Sequence, residues 1–232
     1  MIDESGLQRS LSSFVHVLSR HARPVEVLQA LVDEATLVLE ARGAGVVLPR
    51  GAGLHLMAAT DPTIASLENV QRTDGRGPTL DALGSGNRVA VPDLRAQVER
   101  WPAFARAATA TGLLAVAAVP LGNAEVIGVC GIYAAGPKEW TTEELDVAGL
   151  YADLTTCHLL AEAETARNRR TVDQLEHALH SRVAIEQAKG IVAARRHLSV
   201  EEAYAVLRRY ANDHNETLRA VADAVVRRGL RP

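Results

Sequence analysis

Lysine is almost absent from this chain of 232 residues, since only Lys138 and Lys189 occur among its 25 basic residues. Arginine carries nearly all of the positive charge, so an isolated arginine is weak evidence of function. The two lysines are exceptions to this bias, and their positions call for an explanation. Cysteine is also scarce: Cys130 and Cys157 lack the spacing of metal ligands and indicate reduced thiols. No apolar run approaches the roughly 18 residues of a membrane span, and the polar N-terminus is unlike a secretory signal. We therefore expect a cytoplasmic protein without a membrane segment.

The net charge of −3 is unevenly distributed along the chain. Residues 1–170 contain 15 basic and 20 acidic residues, whereas residues 171–232 contain 10 basic and 8 acidic residues. The C-terminal part is therefore the part that tolerates a polyanionic partner.

The first part of the chain alternates between helical and extended patterns. The spacing predicts helices over Ser10–His21, Pro24–Ala41, Thr79–Gly84 and Phe104–Thr111, and strands over Gly45–Leu48, Leu54–Ala59 and Arg88–Val91, with a loop between Ala59 and Thr79. Two apolar runs, GLLAVAAVPL and EVIGVCGIYAA, predict a hairpin around Gly122-Asn123-Ala124. Helices beside a mainly antiparallel sheet make an α+β domain.

A long helix is predicted to follow this domain. Thr141 and Glu144 form a capping box, and neither glycine nor proline occurs between Gly149 and Gly190. Positions spaced four and three apart form a seam that is apolar at both ends: Leu154, His158, Ala161, Thr165, Asn168, Val172, Leu175 and Leu179. We interpret it as a dimerising connector, and the alternative is a plain solvated helix between domains.

The last 60 or so residues predict a small bundle of three helices. Ser199 and Glu202 form a capping box for the second helix, Asn215 is expected to cap the third, and Gly229 ends it. The first bundle helix ends in three basic residues, Arg195, Arg196 and His197. A helix C-terminus favours cations, so solvated side chains at this end explain them without a binding role.

Lys189 lies within the first helix of this bundle, directly before a glycine. Helical spacing places Arg182, Glu186, Lys189 and Ala193 on one face and gathers an apolar stripe on another: Ala184, Ile185, Ala188, Ile191 and Val192. A glycine inside a helix costs roughly 1 kcal/mol relative to alanine, so Gly190 indicates close approach of something to the backbone. Either a bulky anion settles beside Lys189, or another helix packs tightly against Gly190 while the charged residues form a salt-bridge ladder.

The stretch ALHSRVAIEQAKGIVAARRHLSVEEAYAVLRRYANDHNETLRAVADAVV resembles the ANTAR domain, a three-helix RNA-binding module of bacterial transcription antiterminators. The shared pattern is R-x-x-I-E-x-A-K-G, then S-x-E-E-A-(aromatic)-x-x-L-R, then N-x-T-L-R-x-V-A, within a domain expected at 171–230. The resemblance implies that a dimer binds paired stem-loops in messenger RNA leaders and prevents a terminator hairpin from forming.

The residues expected to bind RNA combine this resemblance with the helix face described above. They are Arg182, Glu186, Lys189, Gly190, Ala193, Tyr204 and Arg208. The three cations are expected to contact phosphates or bases. Tyr204 either stacks on an unpaired loop base or completes the bundle core. Ile185, Leu207, Leu218 and Ala222 match the family pattern as core residues.

The preceding region resembles a GAF domain in the stretches GRGPTLDAL, VAVPDLRAQVERWPAFARAA, GLLAVAAVPL and VIGVCGIYA. The resemblance covers about residues 10–160, with the connector helix from about 142, and resembles most the GAF domains that precede ANTAR modules in actinobacteria. It implies a six-stranded antiparallel sheet with flanking helices and a small-molecule pocket. An NKxDE nucleotide motif and a bilin-attachment cysteine are missing, and His16, His21 and His55 have no partner pattern for haem. No cofactor or metal is therefore assigned, and the ligand of the pocket stays unidentified.

Two further motifs have a structural and a functional interpretation. Gly75-Arg76-Gly77-Pro78 precedes a predicted helix and can hold an anion, but a structural turn is favoured. Trp101 is expected to fill the core rather than to line a pocket.

The sequence thus predicts a regulator rather than an enzyme. A GAF-fold enzyme that reduces free methionine sulfoxide needs several cysteines near its pocket, and no Ser/His/Asp set or metal cluster emerges. The leading hypothesis is an RNA-binding antiterminator, a homodimer whose GAF domain senses a small molecule or dimerises. The alternatives are a DNA-binding regulator, because three helices can imitate a helix-turn-helix, or a protein that only senses a ligand or binds a partner.

Overall fold

The computed structural model describes residues 3–20, 22–51, 53–122 and 125–232, and within the last range the side chains of residue 170 and residues 172–182 are not described. The chain divides into two units, Met1–Glu162 and Ala163–Pro232. The first is the expected α+β domain, and the second is entirely helical in its regular elements.

An antiparallel sheet forms the centre of the first unit. In the described ranges it has five strands, in the order β2-β1-β5-β4-β3, whereas the family resemblance implied six. The strands are β1 (Gly43–Arg50), β2 (Gly53–Ala59), β3 (Val89–Val91), β4 (Ala115–Leu121) and β5 (Gly128–Ala134). The central strands β4 and β5 are covered on both faces, which explains their nearly continuous apolar sequences. The predicted hairpin between them is confirmed by its register, although Asn123 and Ala124 lie outside the described residues.

Helices cover both faces of this sheet. They are α1 (Glu4–Ser19), α2 (Pro24–Val38), α3 (Pro62–Asp74), α4 (Pro78–Ser85), a short 3-10 helix (Leu94–Gln97) and α5 (Pro102–Ala110). One core packs α1, α2 and the start of the following long helix against the sheet, around residues such as Phe14, Leu28 and Tyr151. The opposite core packs α3 and α5 around Trp101 and Tyr133. Trp101 is buried, as expected.

Helix α3 contradicts the predicted loop between Ala59 and Thr79. Asp61 caps its first turn by accepting hydrogen bonds from the backbone N–H groups of Thr63 and Ile64, at 2.7 and 3.2 Å. Pro62 occupies the first helical position, where it needs no hydrogen-bond donor, and Gly75 ends the helix with a φ of 72°. The sequence signal was the Asp-Pro pair. The apolar pattern was weak because two of the inward positions of the helix are polar.

The long connector helix is confirmed as α6 (Thr142–Arg196), 55 residues without a break. Thr141 and Glu144 form the predicted capping box, with backbone-to-side-chain bonds of 2.9 and 3.2 Å. Two positions of the predicted seam have partners in their own domain: Leu154 packs against the core, and Nε2 of His158 lies 3.3 Å from the carbonyl oxygen of Ala22. No helix in the described part of the chain has the length and apolar character to cross a membrane.

The seam positions Val172, Leu175 and Leu179 lie outside the described side chains. The dimerising role of the connector therefore stays a prediction.

Lys138 joins the end of α2 to the beginning of α6. Its Nζ donates to the carbonyl oxygen of Leu39 at 2.8 Å and lies 2.9 Å from a carboxylate oxygen of Glu144. The same ammonium group lies 4.8 Å from the centroid of the buried Trp140 ring. Lys138 therefore has a structural role. A compact cation with three donors can contact a carbonyl oxygen, a carboxylate and the face of an aromatic ring at the same time.

The second unit packs the end of α6 against α7 (Val200–Asp213) and α8 (Leu218–Arg228). Its core contains the following residues: Ala184, Ala188, Val192, Ala203, Leu207, Ala211, Val221, Ala222 and Val225, with Ile185 and Leu218 partly buried against them. Ser199 and Glu202 form the predicted capping box of α7, and Gly229 ends α8 with a φ of 71°. The predicted three-helix arrangement is confirmed.

Asn215 does not cap α8, so that prediction was wrong. The N-cap is Thr217, whose hydroxyl accepts from the backbone N–H of Ala220 at 3.2 Å. Asn215 instead has a φ of 53° and follows the end of α7, where the N–H of Glu216 bonds to the carbonyl of Ala211 at 2.9 Å. Asparagine tolerates this left-handed conformation and closes the helix, as glycine does elsewhere.

These two residues can be told apart by substitution. Thr217→Ala should destabilise α8 by about 1 kcal/mol, because a backbone N–H of its first turn loses its acceptor. Asn215→Gly should change little, because glycine adopts a positive φ freely. Native-state hydrogen exchange of amides in residues 218–228 measures both effects. A loss confined to Asn215→Gly would make Asn215 the cap after all.

Candidate functional site

Lys189 is held between a carboxylate and an aromatic ring in the helical unit. Its Nζ lies 3.0 Å from both carboxylate oxygens of Glu186, one turn earlier on α6, and 5.7 Å from the centroid of the Tyr204 ring on α7. The Lys189 side chain is only 18% exposed, whereas that of Glu186 is 57% exposed. A cation within about 6 Å of a ring centroid is attracted by the ring. The ammonium group is therefore fixed at the surface rather than free in solvent.

Gly190 faces open space beside this cation. No described atom beyond its own turn of helix lies within 4 Å of the position that a Cβ would occupy there, and its backbone is ordinary helix. An alanine would fit and would favour the helix by about 1 kcal/mol. This contradicts the alternative in which Gly190 permits tight packing of another helix of the same chain. The low surface that glycine leaves is available to something outside the chain.

The other predicted site residues are distributed around Lys189. Tyr204 is 39% exposed and lies outside the bundle core, so it does not complete that core. Arg208 lies one turn further along α7 and is exposed, and Ala193 is partly buried against the core. Arg182 lies outside the described side chains. The structure thus brings Glu186, Lys189, Gly190 and Tyr204 together and places Arg208 on the Tyr204 face of α7.

A buried polar cluster occupies the interior of the sheet domain, where sequence reasoning placed nothing. The Tyr133 hydroxyl donates to Glu68 at 2.6 Å, and the side-chain amide of Gln71 donates to Glu68, Thr79 and Tyr133 at 3.1 Å each. Glu68 and Gln71 are the polar inward residues of α3. They were missed because α3 itself was predicted as a loop.

Glycines allow this cluster to fill the space between α3 and the sheet. A Cβ at Gly131 would lie 2.6 Å from a carboxylate oxygen of Glu68, and a Cβ at Gly77 would lie 2.1 Å from the side-chain oxygen of Gln71. That same oxygen accepts from the backbone N–H of Thr79 at 2.9 Å and so occupies the start of α4. The Gly75-Arg76-Gly77-Pro78 stretch is therefore a structural turn, as favoured, and not an anion site.

Burial raises the pKa of two groups in this region, the Glu68 carboxyl and the Cys130 thiol. Loss of solvation raises the pKa of Glu68 to about 7, although the hydrogen bonds from Tyr133 and Thr79 oppose the shift. Burial and then the nearby Glu68 charge raise the pKa of the Cys130 thiol to about 12, which opposes formation of a thiolate. Cys157 is exposed on α6.

An open groove lies on the other face of the same domain. It has a volume of about 570 Å³ and is lined mainly by α1, α2 and the start of α6, with polar residues that include Ser10, Glu34, Lys138 and Glu144. Ser10 at its floor bonds to Glu34 and lies 2.6 Å from the Tyr151 hydroxyl. His16 and His55 are exposed, and His21 lies outside the described residues.

The raised pKa of Glu68 gives the protein a pH-dependent stability. The folded state binds the proton more tightly than the unfolded state, whose carboxyl titrates near 4.5. The protonated Glu68 carboxyl therefore contributes its full stabilisation below pH 4.5, and this stabilisation is lost as the pH rises through about 7. The loss amounts to about 3 kcal/mol in the free energy of unfolding. Glu68→Gln should remove this slope and exceed the parent in stability above pH 7.

Urea unfolding at several pH values between 4 and 8 measures this dependence. The exposed carboxyl variant Glu99→Gln serves as the control and should keep the slope of the parent. If Glu68→Gln shows the same slope as the parent, the pKa of this carboxyl does not differ between the folded and the unfolded state.

Family comparisons agree with this architecture. A GAF domain model matches residues 23–158, which is more than half of the chain, and an ANTAR domain model matches residues 173–226. A search of curated proteins finds no match.

Solved structures resemble the sheet domain in fold. One is free methionine-R-sulfoxide reductase from Neisseria meningitidis, with a TM-score of 0.55 and 16% identity over 71% of this chain and 96% of that one. Another is the GAF domain of a phosphoenolpyruvate-protein phosphotransferase from Coxiella burnetii, with a TM-score of 0.54 and 14% identity over 70% and 98% of the two chains. At such low identity these likenesses show the fold alone.

The family matches also settle the general kind of protein. GAF is a sensory domain and ANTAR is an RNA-binding antitermination domain, and both are regulatory. The chain belongs to the GAF family and joins its GAF domain to an ANTAR domain, which makes it a regulator of this kind.

Proposed function

We propose that this protein is an RNA-binding transcription antiterminator that binds paired stem-loops in messenger RNA leaders as a homodimer. The ANTAR match supports the class of partner. The observation that carries the proposal is Gly190, a helix-weakening residue in open space directly beside a fixed cation. A glycine that serves no contact within its own chain is best explained by a partner that approaches the backbone.

The chemistry of the face around Lys189 suits RNA. Lys189 offers a positive charge to a phosphate, and Arg208 on the neighbouring helix offers a second. The Tyr204 ring is exposed enough to stack on an unpaired base, which is how proteins usually read single-stranded loops. Glu186 orients Lys189, and Gly190 and Ala193 keep the helix surface low between the charged groups.

The GAF domain supplies either ligand sensing or dimerisation in this proposal. A change of state in the sheet domain would pass along the 142–179 helix and set the spacing of two RNA-binding faces in a dimer. The groove beside Ser10 and Glu34 is a candidate entrance for a polar ligand. Thermal melts and RNA affinity with and without candidate ligands test this step, and identical values in both conditions would contradict it.

Substitution of Gly190 tests the RNA face directly. Gly190→Leu should weaken hairpin binding by about 30-fold or more while the bundle stays folded. The leucine side chain would block the approach of RNA to the helix backbone, and the loss of a contact worth roughly 2 kcal/mol corresponds to this factor. Gly190→Ala should give an intermediate loss and a slightly more stable helix. Gel shifts with paired RNA hairpins measure affinity, and circular dichroism confirms folding.

A matched control is available in the sheet domain. Gly84 is also a helical glycine with nothing within 4 Å of its Cβ position, so Gly84→Leu adds the same side chain away from the proposed site.

Lys189→Glu should abolish hairpin binding, whereas Arg50→Glu, an exposed charge reversal in the sheet domain, should not. Retained binding by both Gly190→Leu and Lys189→Glu would refute the RNA face. Tighter binding to duplex DNA than to hairpins would favour the DNA-binding alternative.

The dimer has its own test in the predicted seam. Leu175→Asp should convert the protein to monomers and reduce binding to paired hairpins much more than binding to a single hairpin, because two linked sites gain from effective concentration. Ala166→Asp introduces the same charge at an exposed position off the seam. Analytical ultracentrifugation measures the mass, and a parent protein that is monomeric at micromolar concentration would exclude the dimer.

A further inference from the structure

A cluster of arginines occupies one end of the helical unit, beyond the predicted RNA face. It consists of Arg195 and Arg196 at the end of α6, Arg227 and Arg228 at the end of α8, and Arg231 in the tail, and all five are exposed. We refer to these residues as the arginine end. The two helices finish at the same end of the bundle because α7 runs back between them.

Direct contacts bring the two parts of the arginine end together. Nη1 of Arg195 donates to the carbonyl oxygen of Leu230 at 3.4 Å, and Arg196 donates to a main-chain oxygen of Pro232. The tail is itself anchored, since the N–H of Leu230 bonds to the carbonyl of Ala224 at 3.1 Å. Arg231 lies between the two acceptor residues and is therefore close to the ends of both α6 and α8.

Most of the donors at the arginine end are not used within the chain. A guanidinium group has five N–H donors, and Arg195 and Arg196 each use one to donate to a main-chain oxygen of the tail. Among the described residues, no Asp or Glu side chain lies within 4 Å of the guanidinium groups of Arg195, Arg196, Arg228 or Arg231, and Arg227 approaches Asp223 at 3.9 Å. These main-chain contacts hold two guanidinium groups in place, and each group keeps N–H donors that no described residue uses.

Acidic residues near this end do not cancel its charge. Glu201 and Glu202 begin α7 there, and the carboxylate of Glu202 accepts from the backbone N–H of Ser199 at 2.8 Å. Three side-chain carboxylates, those of Glu201, Glu202 and Asp223, stand against five guanidinium groups, so the side chains of this end carry an excess of positive charge. The helix dipoles favour cations at the ends of α6 and α8, but they do not account for Arg231.

The arginine end continues the face that contains Lys189. Arg196 follows Lys189 by seven residues, so it lies on the same side of α6 and about 10 Å further along the axis. Neither this repeat nor the tail contacts were recognised in the sequence, where Arg195 and Arg196 were explained by solvation.

We propose that the arginine end binds the phosphodiester backbone of the RNA whose loop is bound at Lys189 and Tyr204. This contact recognises the charge and shape of the RNA and not its sequence. This inference rests on the proposed function and adds a second, sequence-independent contact to it. Phosphate contacts of this kind fix register and orientation, and they make affinity depend on salt.

The salt dependence of hairpin binding by the full chain separates the two contacts. Replacing Arg195, Arg196, Arg228 and Arg231 together by glutamine should lower affinity at 0.1 M salt by about 10-fold or more and make the slope of log K against log [salt] shallower by about 1 to 3. Discrimination between cognate and altered loop sequences should stay unchanged. Tyr204→Leu should have the opposite signature: lost loop discrimination and an unchanged slope.

The control removes the same four charges elsewhere. Arg20, Arg50, Arg76 and Arg106 are exposed in the sheet domain, and their joint replacement by glutamine should leave the slope unchanged. Melting curves confirm that both quadruple variants fold. If the arginine-end variant keeps the parent's slope and affinity, or changes no more than the control, the inference is overturned while the proposed function stands. If the parent binds no hairpin, both are overturned.

Discussion

The contact of Lys189 with Glu186 and Tyr204 constrains the surface around Gly190. It joins α6 to α7 at a partly exposed point, and it places a cation directly beside Gly190, which has no side chain. The bundle core consists largely of alanine and valine. A helical glycine lowers the stability of such a small bundle by about 1 kcal/mol, which is a considerable part of its total. Since no described neighbour requires the glycine, the proposed RNA contact is what gives this position a reason.

The two lysines of this arginine-rich chain occupy similar environments. Each ammonium group lies near a glutamate and over an aromatic ring: Lys138 with Glu144 and Trp140, and Lys189 with Glu186 and Tyr204. The planar guanidinium of arginine is larger and fixes its donors in a fork, whereas an ammonium is a compact point charge. Lys138 has all of its partners inside the domain. Lys189 differs because it has an open surface beside it.

Local signals explain which elements the sequence could predict. Capping boxes at Thr141 and Ser199 and the absence of glycine and proline before Gly190 act over a few residues, so α6 and α7 were predicted with their starting residues. Helix α3 was missed because its inward residues Glu68 and Gln71 are polar, and their burial depends on Tyr133, which is distant in sequence. Asn215 and Thr217 are both good caps. Two bonds decide between them: the N–H of Glu216 donates to Ala211 and closes α7, and the N–H of Ala220 donates to the Thr217 hydroxyl.

The candidate site was predictable in its residues but not in its surroundings. Spacing alone put Glu186, Lys189 and Gly190 on α6, and the family pattern added Tyr204 and Arg208. Whether another helix covers Gly190, and whether the Tyr204 ring points inward, depends on packing between elements that periodicity does not report. The tail contacts of Arg195 and Arg196 are of the same kind, since they join residues 35 and 36 positions apart.

A signal from the interior of the GAF domain has a limited set of routes to α6. The Glu68 cluster lies on the α3 side of the sheet, whereas Tyr151 of α6 packs on the opposite side. Strand β5 is shared by both, because Tyr133 faces Glu68 while its neighbours Ile132 and Ala134 face the α6 side. A shift of Tyr133 on ionisation of Glu68 therefore has a route through β5 to the residues that pack against α6. Stiff strands with close-packed side chains transmit such displacements without absorbing them.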